Sequence, residues 1–276
     1  MPKLKLLRNP VPSDPAAGEL RRRLDDFYTN TQTYTAFDPS HDSGAAQQNW
    51  HDLILPTIRS MLGSANAVRV LELGAGRPSF PAHLGEMRSR VIYHAQDVTP
   101  ANQDYLKQVA DDVFICDPGQ IIGRYDIIFS TFVLEHVATP STFLEQVDRL
   151  LNPGGAHFVF CPRYDMPGYV CPSLRHLSRL ARWQAMTFLM LSRVMSRLNG
   201  QPRFWVNADP AVFHAPWFRD ADAVHLVSRF DVEQWHRRRG YETRRLFPPV
   251  HGIREWILTR KLTTAVRCTK PAKQGL

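Results

Sequence analysis

A carboxylate and two glycines lie close together in the stretch VRVLELGAGRP, residues 68–78. Because glycine has no side chain, Gly74 and Gly76 permit unusual backbone dihedral angles and let backbone N–H groups approach a ligand. Asp97 follows Gly76 by 21 residues, a spacing at which an acidic side chain can accept hydrogen bonds from both hydroxyls of a ribose. The pattern predicts a ligand of the nucleotide type at this turn.

Glu72 and Pro78 narrow the choice of ligand. A carboxylate beside the glycine turn repels a pyrophosphate and favours a ligand with an ammonium or sulfonium group. Pro78 stands where a third glycine is expected, and it can begin a helix although it offers no N–H to a phosphate. S-adenosylmethionine has both cationic groups, a ribose and an adenine, and no phosphate, so we predict it as the cofactor. Asp117 is expected to contact the adenine amino group, although Asp-Pro-Gly also makes a turn by itself.

The elements that position these residues are short apolar runs separated by helical stretches. The five runs are VRVLELG (68–74), RVIYHAQD (90–97), DVFICD (112–117), YDIIFST (125–131) and AHFVFCP (156–162). Most are apolar on both faces, which is typical of parallel strands covered by helices. The alternation predicts an α/β fold with a doubly wound parallel sheet, whose ligands bind at the carboxyl ends of the strands.

Several motifs together are similar to the class I S-adenosylmethionine-dependent methyltransferases. The motifs are VLELGAGRP, QDV, and YDIIFSTFVLEHVATPSTFLEQVDRLLNPGGAHFVF, with Glu135-His136-Val137 after the fourth strand and Pro153-Gly154-Gly155 before the fifth. The resemblance covers 65–162 well and 230–262 loosely. It implies a Rossmann-like seven-stranded sheet and these cofactor contacts: Glu72, Gly74, Ala75 and Gly76 at the methionine part, Asp97 and Val98 at the ribose, Asp117 at the adenine, and Ser130, Thr131 and Phe132 beneath the sulfonium.

The sequence gives fewer indications of the methyl acceptor than of the cofactor. His136 is the candidate general base, with a structural role as the alternative, and Tyr164, Asp165 and His225 are further candidates. The function we predict is O-methylation of a small-molecule or glycan hydroxyl. N- or C-methylation of a lipid or other metabolite, an RNA-binding methyltransferase-like protein and a non-catalytic adenosyl-binding partner stay open, whereas Glu72 and Pro78 disfavour an NAD-dependent oxidoreductase.

Changes in pattern along the chain predict its division into segments. These are a flexible tail (1–18), a helical cap (19–64), the S-adenosylmethionine-binding core (65–162), a helical insertion that forms a lid for the acceptor (163–229), a C-terminal helix and strands (230–264) and a flexible tail (265–276). Within the cap, LRRRLDDFY and AQQNWHDLILPTIRSML are predicted as helices, and GIREWILTRKL (252–262) is predicted as the last strand.

One long helix is predicted over 173–198 in the insertion. With 100° per residue, one side carries Arg175, Arg179, Arg182, Arg193 and Arg197, and the opposite side carries Leu177, Leu180, Phe188, Leu191, Met195 and Leu198. This arrangement suits peripheral contact with a membrane, or a lipid-linked or anionic acceptor. The interpretation that we favour is that the apolar side packs on the domain and the arginines are solvated.

The charge and the cysteine content limit which binding partners and which cellular compartment we expect for the protein. The chain has 276 residues and a net charge of +8, and the balance is −4 over 1–161 and +12 over 162–276. The basic half favours an anionic partner or a solvated surface; nucleic acid is not expected, because the arginines are not interleaved with exposed aromatic residues. Four cysteines without metal spacing and the lack of a signal-like apolar stretch predict a cytoplasmic protein without a metal.

Overall fold

A computed structural model describes residues 4–30, 50–214, 216–250 and 252–272. Most of the stretch between the two predicted cap helices, and residues 46–49 of the second of them, lie outside the described residues. None of the described helices is long and apolar enough to cross a membrane.

A seven-stranded sheet forms the centre of the molecule. Its strands are β2 (Val68–Leu73), β3 (Val91–Asp97), β4 (Asp112–Ile115), β5 (Tyr125–Thr131), β6 (Leu151–Pro162), β8 (Glu242–Arg245) and β9 (Thr263–Thr269). They lie in the order β4-β3-β2-β5-β6-β9-β8. The first five are parallel, and β9 runs antiparallel to both of its neighbours. The predicted α/β fold with a Rossmann-like seven-stranded sheet is confirmed.

Helices cover both faces of this sheet. The α-helices of the described residues are α1 (Pro15–Asn30), α2 (Leu55–Leu62), α3 (Phe80–His83), α4 (Gln103–Val109), α5 (Pro140–Leu150), α6 (Arg179–Asn199), α7 (Arg229–Arg237) and α8 (Ile253–Ile257). On one face, Ile58 of α2 packs with Tyr93 and Phe129. On the other, Leu144 of α5 and Trp235 of α7 pack with apolar side chains of the central strands. The apolar residues on both faces of β2, β5 and β6 are therefore buried, as the sequence pattern indicates.

Two short strands join the N-terminal segment to the insertion. β1 (Leu6–Arg8) pairs antiparallel with β7 (Trp205–Asn207), and Leu7 lies opposite Val206. Part of the segment that we predicted as a flexible tail, 1–18, is therefore ordered by strand pairing, and α1 begins within it at Pro15. Because β1 is only three residues long, its pattern gives no period by which a strand can be recognised.

The C-terminal boundaries predicted from the sequence are wrong. Residues 253–262, expected in the last strand, form α8 followed by a π-helix, Leu258–Leu262. The last strand is β9, so 265–269 belong to the sheet and not to a flexible tail. The β-branched residues Thr263, Thr264 and Val266 favour the extended conformation there.

The long helix of the insertion begins later than predicted and faces the other way. Ser178 caps α6, its hydroxyl accepting a hydrogen bond from the N–H of Ala181 at 3.3 Å, so Arg175 lies outside the helix. The buried side of α6 consists mainly of small residues together with two apolar side chains: Ala185, Met186, Leu189, Ser192 and Ser196. The predicted apolar side is exposed from Leu180 to Leu198. The helical period identifies two faces of α6 but does not say which one is buried. The face with small residues is buried, because small side chains let the helix approach the protein more closely than large ones do.

Candidate functional site

The carboxyl ends of β2, β3 and β5 meet at one edge of the sheet. Leu73 lies opposite Gln96 on one side and Ser130 on the other. The register brings the glycine turn that follows β2 beside Asp97 and beside the residues after Ser130. The predicted cofactor residues on these three strands are thus brought together.

Side chains and backbone groups of β3 hold the glycine turn. The Gly74 N–H donates to Oε1 of Gln96 at 3.1 Å, and the Ala75 N–H donates to the Gln96 carbonyl at 2.9 Å. Gly74 has a φ of +63°, and a Cβ there would lie 2.5 Å from Cγ2 of Val133. Gln96 was not identified from the sequence, because an amide near a strand end has no distinctive spacing.

Gly76 faces open space rather than protein. Its φ is +55°, and a Cβ at this position would meet no atom within 4 Å. Its N–H donates to Oδ2 of Asp97 at 2.9 Å, while the Thr99 N–H donates to Oδ1 at 3.1 Å. Burial raises the pKa of Asp97, and these backbone donors oppose the shift. Each carboxylate oxygen retains a lone pair with which it can accept a ribose hydroxyl.

Glu72 is buried near the end of β2. Its Oε2 accepts a hydrogen bond from the Tyr93 hydroxyl at 2.6 Å, and Tyr93 is the diagonal neighbour of Glu72 across the β2–β3 pair. Burial raises the pKa of Glu72 to about 8, although the Tyr93 hydrogen bond opposes the shift and the charge of Asp97 adds to it. A nearby ammonium group would stabilise the ionised form of Glu72.

The segment after β5 combines buried hydroxyls with an unusual backbone. Among the described residues, neither Ser130 Oγ nor Thr131 Oγ1 has a hydrogen-bond partner, and both atoms are buried. Phe132 has a φ of +57°, a conformation that costs on the order of 1–3 kcal/mol for a residue other than glycine. Its ring contacts that of Trp50 edge to face, with centroids 6.4 Å apart.

Asp117 and Val98 lie at the outer edge of this region. Asp117 Oδ1 accepts from the Gly119 N–H at 2.7 Å and from Gln146 Nε2 at 2.9 Å, and Oδ2 accepts from Arg21 at 2.7 Å. These contacts make Asp117 the cap of a 3-10 turn, and its contact with adenine stays a prediction. Val98 is exposed beside Asp97.

Pro78 does not occupy the first turn of the helix, as the sequence suggested. α3 begins at Phe80, with Ser79 as its cap and Pro81 in the first turn. The Pro78 carbonyl accepts a hydrogen bond from the Tyr105 hydroxyl at 3.3 Å. Pro78 therefore belongs to the loop between Gly76 and α3.

We call Glu72, the turn of residues 74–76, Asp97, Ser130 and Thr131 the cofactor cradle. This cradle fits a ligand with an ammonium group, ribose hydroxyls and no phosphate. Glu72 and Asp97 supply carboxylates, Ser130 and Thr131 supply hydroxyls without protein partners among the described residues, and Gly76 leaves room beside them. These features match the chemistry of S-adenosylmethionine.

A second group of polar side chains lies where the insertion packs on the turn after β5. We call Glu135, His136, Tyr164, Asp222 and His225 the His136 cluster. His136 Nδ1 lies 2.8 Å from Asp222 Oδ2, which also accepts a hydrogen bond from the Tyr28 hydroxyl at 2.7 Å. Burial lowers the pKa of His136, but Asp222, through its charge and a hydrogen bond, and Glu135 outweigh this and raise it to about 10.

The other candidate bases have environments that oppose this role. Burial lowers the pKa of His225 to about 4, and its Nδ1 lies 3.0 Å from the Leu134 carbonyl. Burial raises the pKa of Tyr164 well above its ordinary value. Asp165 is bound by Arg163 at 2.6 Å and by the Ser228 hydroxyl at 3.0 Å. His136 is therefore the strongest candidate among the four.

Glu135, like Asp222, is a residue of this cluster that sequence reasoning missed as a functional group. Its side chain is fully buried, and neither carboxyl oxygen has a hydrogen-bond partner among the described residues. Burial raises its pKa to about 8, against the opposing charge of His136. The sequence shows the Glu-His pair, but only the packing of the insertion shows that Glu135 is buried.

A possible group of metal ligands lies elsewhere in the insertion. His176, Asp209 and His214 place ligand atoms within 4.8 Å of one another, a grouping that the sequence spacing did not indicate. His214 Nε2 lies 2.9 Å from Asp209 Oδ1, and Arg23 lies 3.8 Å from the same oxygen. The Asp209 carboxylate is therefore already close to two cationic or donor groups.

Comparison with protein families supports the chemistry of the cradle. Residues 17–246 match the sequence model of a family described as a methyltransferase domain. A search of curated proteins found no match.

Solved structures give low-identity matches over most of the chain. Burkholderia thailandensis 1,6-didemethyltoxoflavin-N1-methyltransferase, solved with S-adenosylhomocysteine, has 14% identity and a TM-score of 0.48, covering 95% of this chain and 91% of that one. The plantazolicin methyltransferase BpumL with S-adenosylhomocysteine has 11% identity and a TM-score of 0.49, covering 94% and 91%. Magnesium protoporphyrin IX methyltransferase from Synechocystis PCC 6803 has 10% identity and a TM-score of 0.47, covering 91% and 97%.

Proposed function

Because the chain belongs to the class I S-adenosylmethionine-dependent methyltransferases, we propose that it methylates a hydroxyl oxygen of a small molecule or glycan. The observation that supports an oxygen acceptor is the His136–Asp222 pair, with the two side chains 2.8 Å apart. A hydroxyl must lose its proton as its oxygen is methylated, and a histidine oriented by a carboxylate is a common device for removing it.

The chain's own residues bind and orient the two reactants. When bound, S-adenosylmethionine supplies a methyl group that its sulfonium has already activated. We assign Glu72 to the ammonium group, Asp97 and Val98 to the ribose, Asp117 to the adenine, and Ser130, Thr131 and Phe132 to the region beneath the sulfonium. The turn of Gly74, Ala75 and Gly76 surrounds the methionine part. Alignment of the acceptor with the methyl group is the main contribution that a protein makes to such a displacement.

The His136 cluster supports a polar acceptor. Among the described residues, the carboxyl oxygens of Glu135 and Nε2 of His225 lack hydrogen-bond partners although they are buried. Buried polar groups in folded proteins nearly always have partners, and a group without one in the protein can obtain it from a ligand. An acceptor with several hydroxyl groups supplies both donors and acceptors.

The raised pKa of His136 sets the expected pH dependence. Most of the imidazole is protonated at neutral pH, because Asp222 raises its pKa to about 10 against the effect of burial. The fraction able to accept a proton rises about tenfold per pH unit below that pKa. The protonated state of His136 at neutral pH also favours a second candidate, an amine acceptor. An amine that has already lost its proton in solution needs no base on the protein.

The acceptor class is tested by identifying the labelled product. The protein is incubated with methyl-tritiated S-adenosylmethionine and with two panels, one of phenols and sugars and one of amines. We expect label in ether products. Label confined to the amines contradicts O-methylation and favours the second candidate.

The role of His136 is then tested with the accepted substrate. We expect kcat/KM to rise with pH up to about 10, His136→Gln to abolish that rise, and Asp222→Asn to move it to lower pH because a negative charge is removed. Tyr164→Phe is the matched control and should retain the pH dependence. A pH profile that His136→Gln leaves unchanged contradicts the assignment.

A further inference from the structure

The outer face of α6 is apolar along the whole helix. It exposes eight large apolar side chains: Leu180, Trp183, Phe188, Met190, Leu191, Val194, Met195 and Leu198. At 100° per residue they span an arc of about 160° that is interrupted by Gln184 and Thr187. Leu180 and Leu198 are 66% and 75% exposed, so this face is not covered by the described part of the chain. Contiguous apolar surface of this kind marks an interaction site.

The charged residues of α6 and of the chain on either side of it are all basic. Between Asp165 and Asp209 the chain contains six arginines and no acidic residue. Arg179 and Arg197 are five helical turns apart, on the same side of α6, and lie along one margin of the apolar arc. Both are exposed, so their guanidinium groups can reach anionic groups beside the apolar surface.

Arg193 links the helix to a wider basic region. Its Nε lies 3.3 Å from Asp165 Oδ2, and the same carboxylate pairs with Arg163. Arg163, Arg197 and Arg245 all lie close enough to Arg193 to favour loss of its proton, although burial is the main cause of its lowered pKa. Arg163 and Arg193 therefore share the carboxylate of Asp165, and Arg197 adds a further positive charge nearby. Arg245 is paired with a second carboxylate, that of Glu233.

A second exposed apolar segment adjoins the same region. The N–H of Arg163 donates to the carbonyl of Leu262, the last residue of the π-helix, at 2.8 Å. Ile253 of α8 is 74% exposed, and Trp256, Ile257 and Leu258 are also exposed. Arg260 and Lys261 lie over the rings of Phe247 and Trp256, with charge-to-centroid distances of 4.6 and 5.2 Å. This segment repeats the combination of apolar side chains with cations.

We propose that the apolar face of α6 docks on the surface of an anionic phospholipid bilayer. The apolar side chains enter the boundary between headgroups and acyl chains, and Arg179 and Arg197 contact lipid phosphates. The helix is about 31 Å long and lies in the plane of the surface, because its opposite side is packed on the protein. A second copy of the chain is a poorer match, since two such faces bring arginines together without an acidic residue of α6 between them.

The inference does not depend on which atom accepts the methyl group. It is tested by sedimenting the full-length protein with vesicles of phosphatidylcholine containing 30% phosphatidylglycerol, and with vesicles of phosphatidylcholine alone. We expect binding to the anionic vesicles that weakens at high salt. We expect Leu180→Glu/Leu198→Glu to reduce binding at least tenfold and Arg179→Glu/Arg197→Glu to reduce it severalfold.

Ile122→Glu is the matched control, because Ile122 is 90% exposed and lies before β5, outside the insertion. It should bind vesicles as the unaltered protein does. Binding of S-adenosylhomocysteine by each variant confirms that the fold is retained and is read separately from vesicle binding. The proposal is overturned if the protein does not sediment with anionic vesicles or if the leucine variant still does. It is also overturned if sedimentation without lipid shows a dimer that the leucine variant dissociates.

Discussion

Glu72 and Glu135 are buried carboxyl groups on the two sides of the proposed reaction, and their surroundings differ. Burial raises the pKa of each to about 8. Glu72 accepts a hydrogen bond from Tyr93 at 2.6 Å, whereas neither carboxyl oxygen of Glu135 has a hydrogen-bond partner among the described residues. The cofactor cradle thus fixes its carboxyl group with its own side chains. The His136 cluster holds a carboxyl group whose oxygens have no hydrogen-bond donor in the described part of the chain.

This difference in hydrogen bonding between Glu72 and Glu135 affects the stability of the protein. A buried polar group without a partner costs about 1–3 kcal/mol of stability, and such costs are tolerated where function requires the group. The turn that follows β2 is held by Gln96 and Asp97 at distances of 2.9–3.1 Å. We therefore expect replacement of Glu72 by glutamine mainly to weaken cofactor binding, and replacement of Glu135 by glutamine mainly to raise the free energy of unfolding.

The largest expected effect is that of Glu72→Gln on cofactor binding. Loss of a buried charge that faces an ammonium group costs about 2–4 kcal/mol, or about 30- to 1000-fold in Kd. In the unaltered protein Glu72 must lose its proton to meet the ammonium group, so affinity should rise about tenfold per pH unit up to about pH 8. Titration calorimetry with S-adenosylhomocysteine between pH 6 and 8.5 measures both effects.

Glu135→Gln is the matched control for this experiment, since Glu135 has the same raised pKa but lies in the His136 cluster. It should leave the affinity for S-adenosylhomocysteine and its pH dependence unchanged. If Glu72→Gln retains the pH dependence, Glu72 does not face the ammonium group.

An intermediate effect is expected when Glu135→Gln is examined for stability. Its folded-state pKa of about 8 lies above the ordinary value of 4.5, so between these values the unfolded chain loses a proton that the folded protein keeps. Stability therefore falls as pH rises from about 4.5 to 8, and the amide does not contribute to this fall. We expect the variant to be more stable by about 1–3 kcal/mol at pH 9 and similar to the unaltered protein near pH 4.5.

Thermal unfolding at the two pH values measures this difference, with Glu72→Gln as the comparison. Glu72→Gln should gain less, because it disturbs the contact with Tyr93. The methyl-transfer rate of Glu135→Gln should fall if the carboxyl group binds the acceptor. A variant that is less stable at pH 9 contradicts the view that Glu135 is buried at a cost.

The parts of the cradle that follow from local pattern could be predicted from the sequence. Strand runs, the glycine turn and the acidic residue at the end of the next strand are set by backbone geometry and by the sheet, so Gly76 and Asp97 meet as expected. Tyr93 and Gln96 were missed, because their roles depend on the register between β2 and β3 and not on spacing along the chain.

The insertion shows why the rest could not be predicted. Asp222 reaches His136 across 86 positions of sequence, and a short strand pair joins β1 to β7. The helical period of α6 distinguishes two faces in the sequence. Which face is buried depends on how closely Ala185 and Ser196 allow the helix to approach the protein. Apolar residues in GIREWILTRKL also suggested a strand, although they lie on the surface of α8 and the π-helix.

The smallest expected effect separates capping from ligand binding at Asp117. Its carboxylate caps a 3-10 turn and accepts from three groups, including Arg21 of α1. Asp117→Ala should cost about 1 kcal/mol through loss of the cap, lowering Tm by about 2–4 °C. Arg21→Ala removes only surface ion pairs, with Asp117 and Asp25, and should cost less than about 0.5 kcal/mol.

Calorimetry of the same two variants then tests the adenine contact. Because the carboxylate oxygens of Asp117 already accept three hydrogen bonds, we expect Asp117→Ala to weaken S-adenosylhomocysteine binding by less than about tenfold. Arg21→Ala should leave the affinity unchanged. A loss of a hundredfold or more assigns the adenine mainly to this carboxylate, and an unchanged Tm contradicts its role as a cap. Only the hundredfold loss would show that the outer edge of the cradle keeps a carboxylate for its ligand.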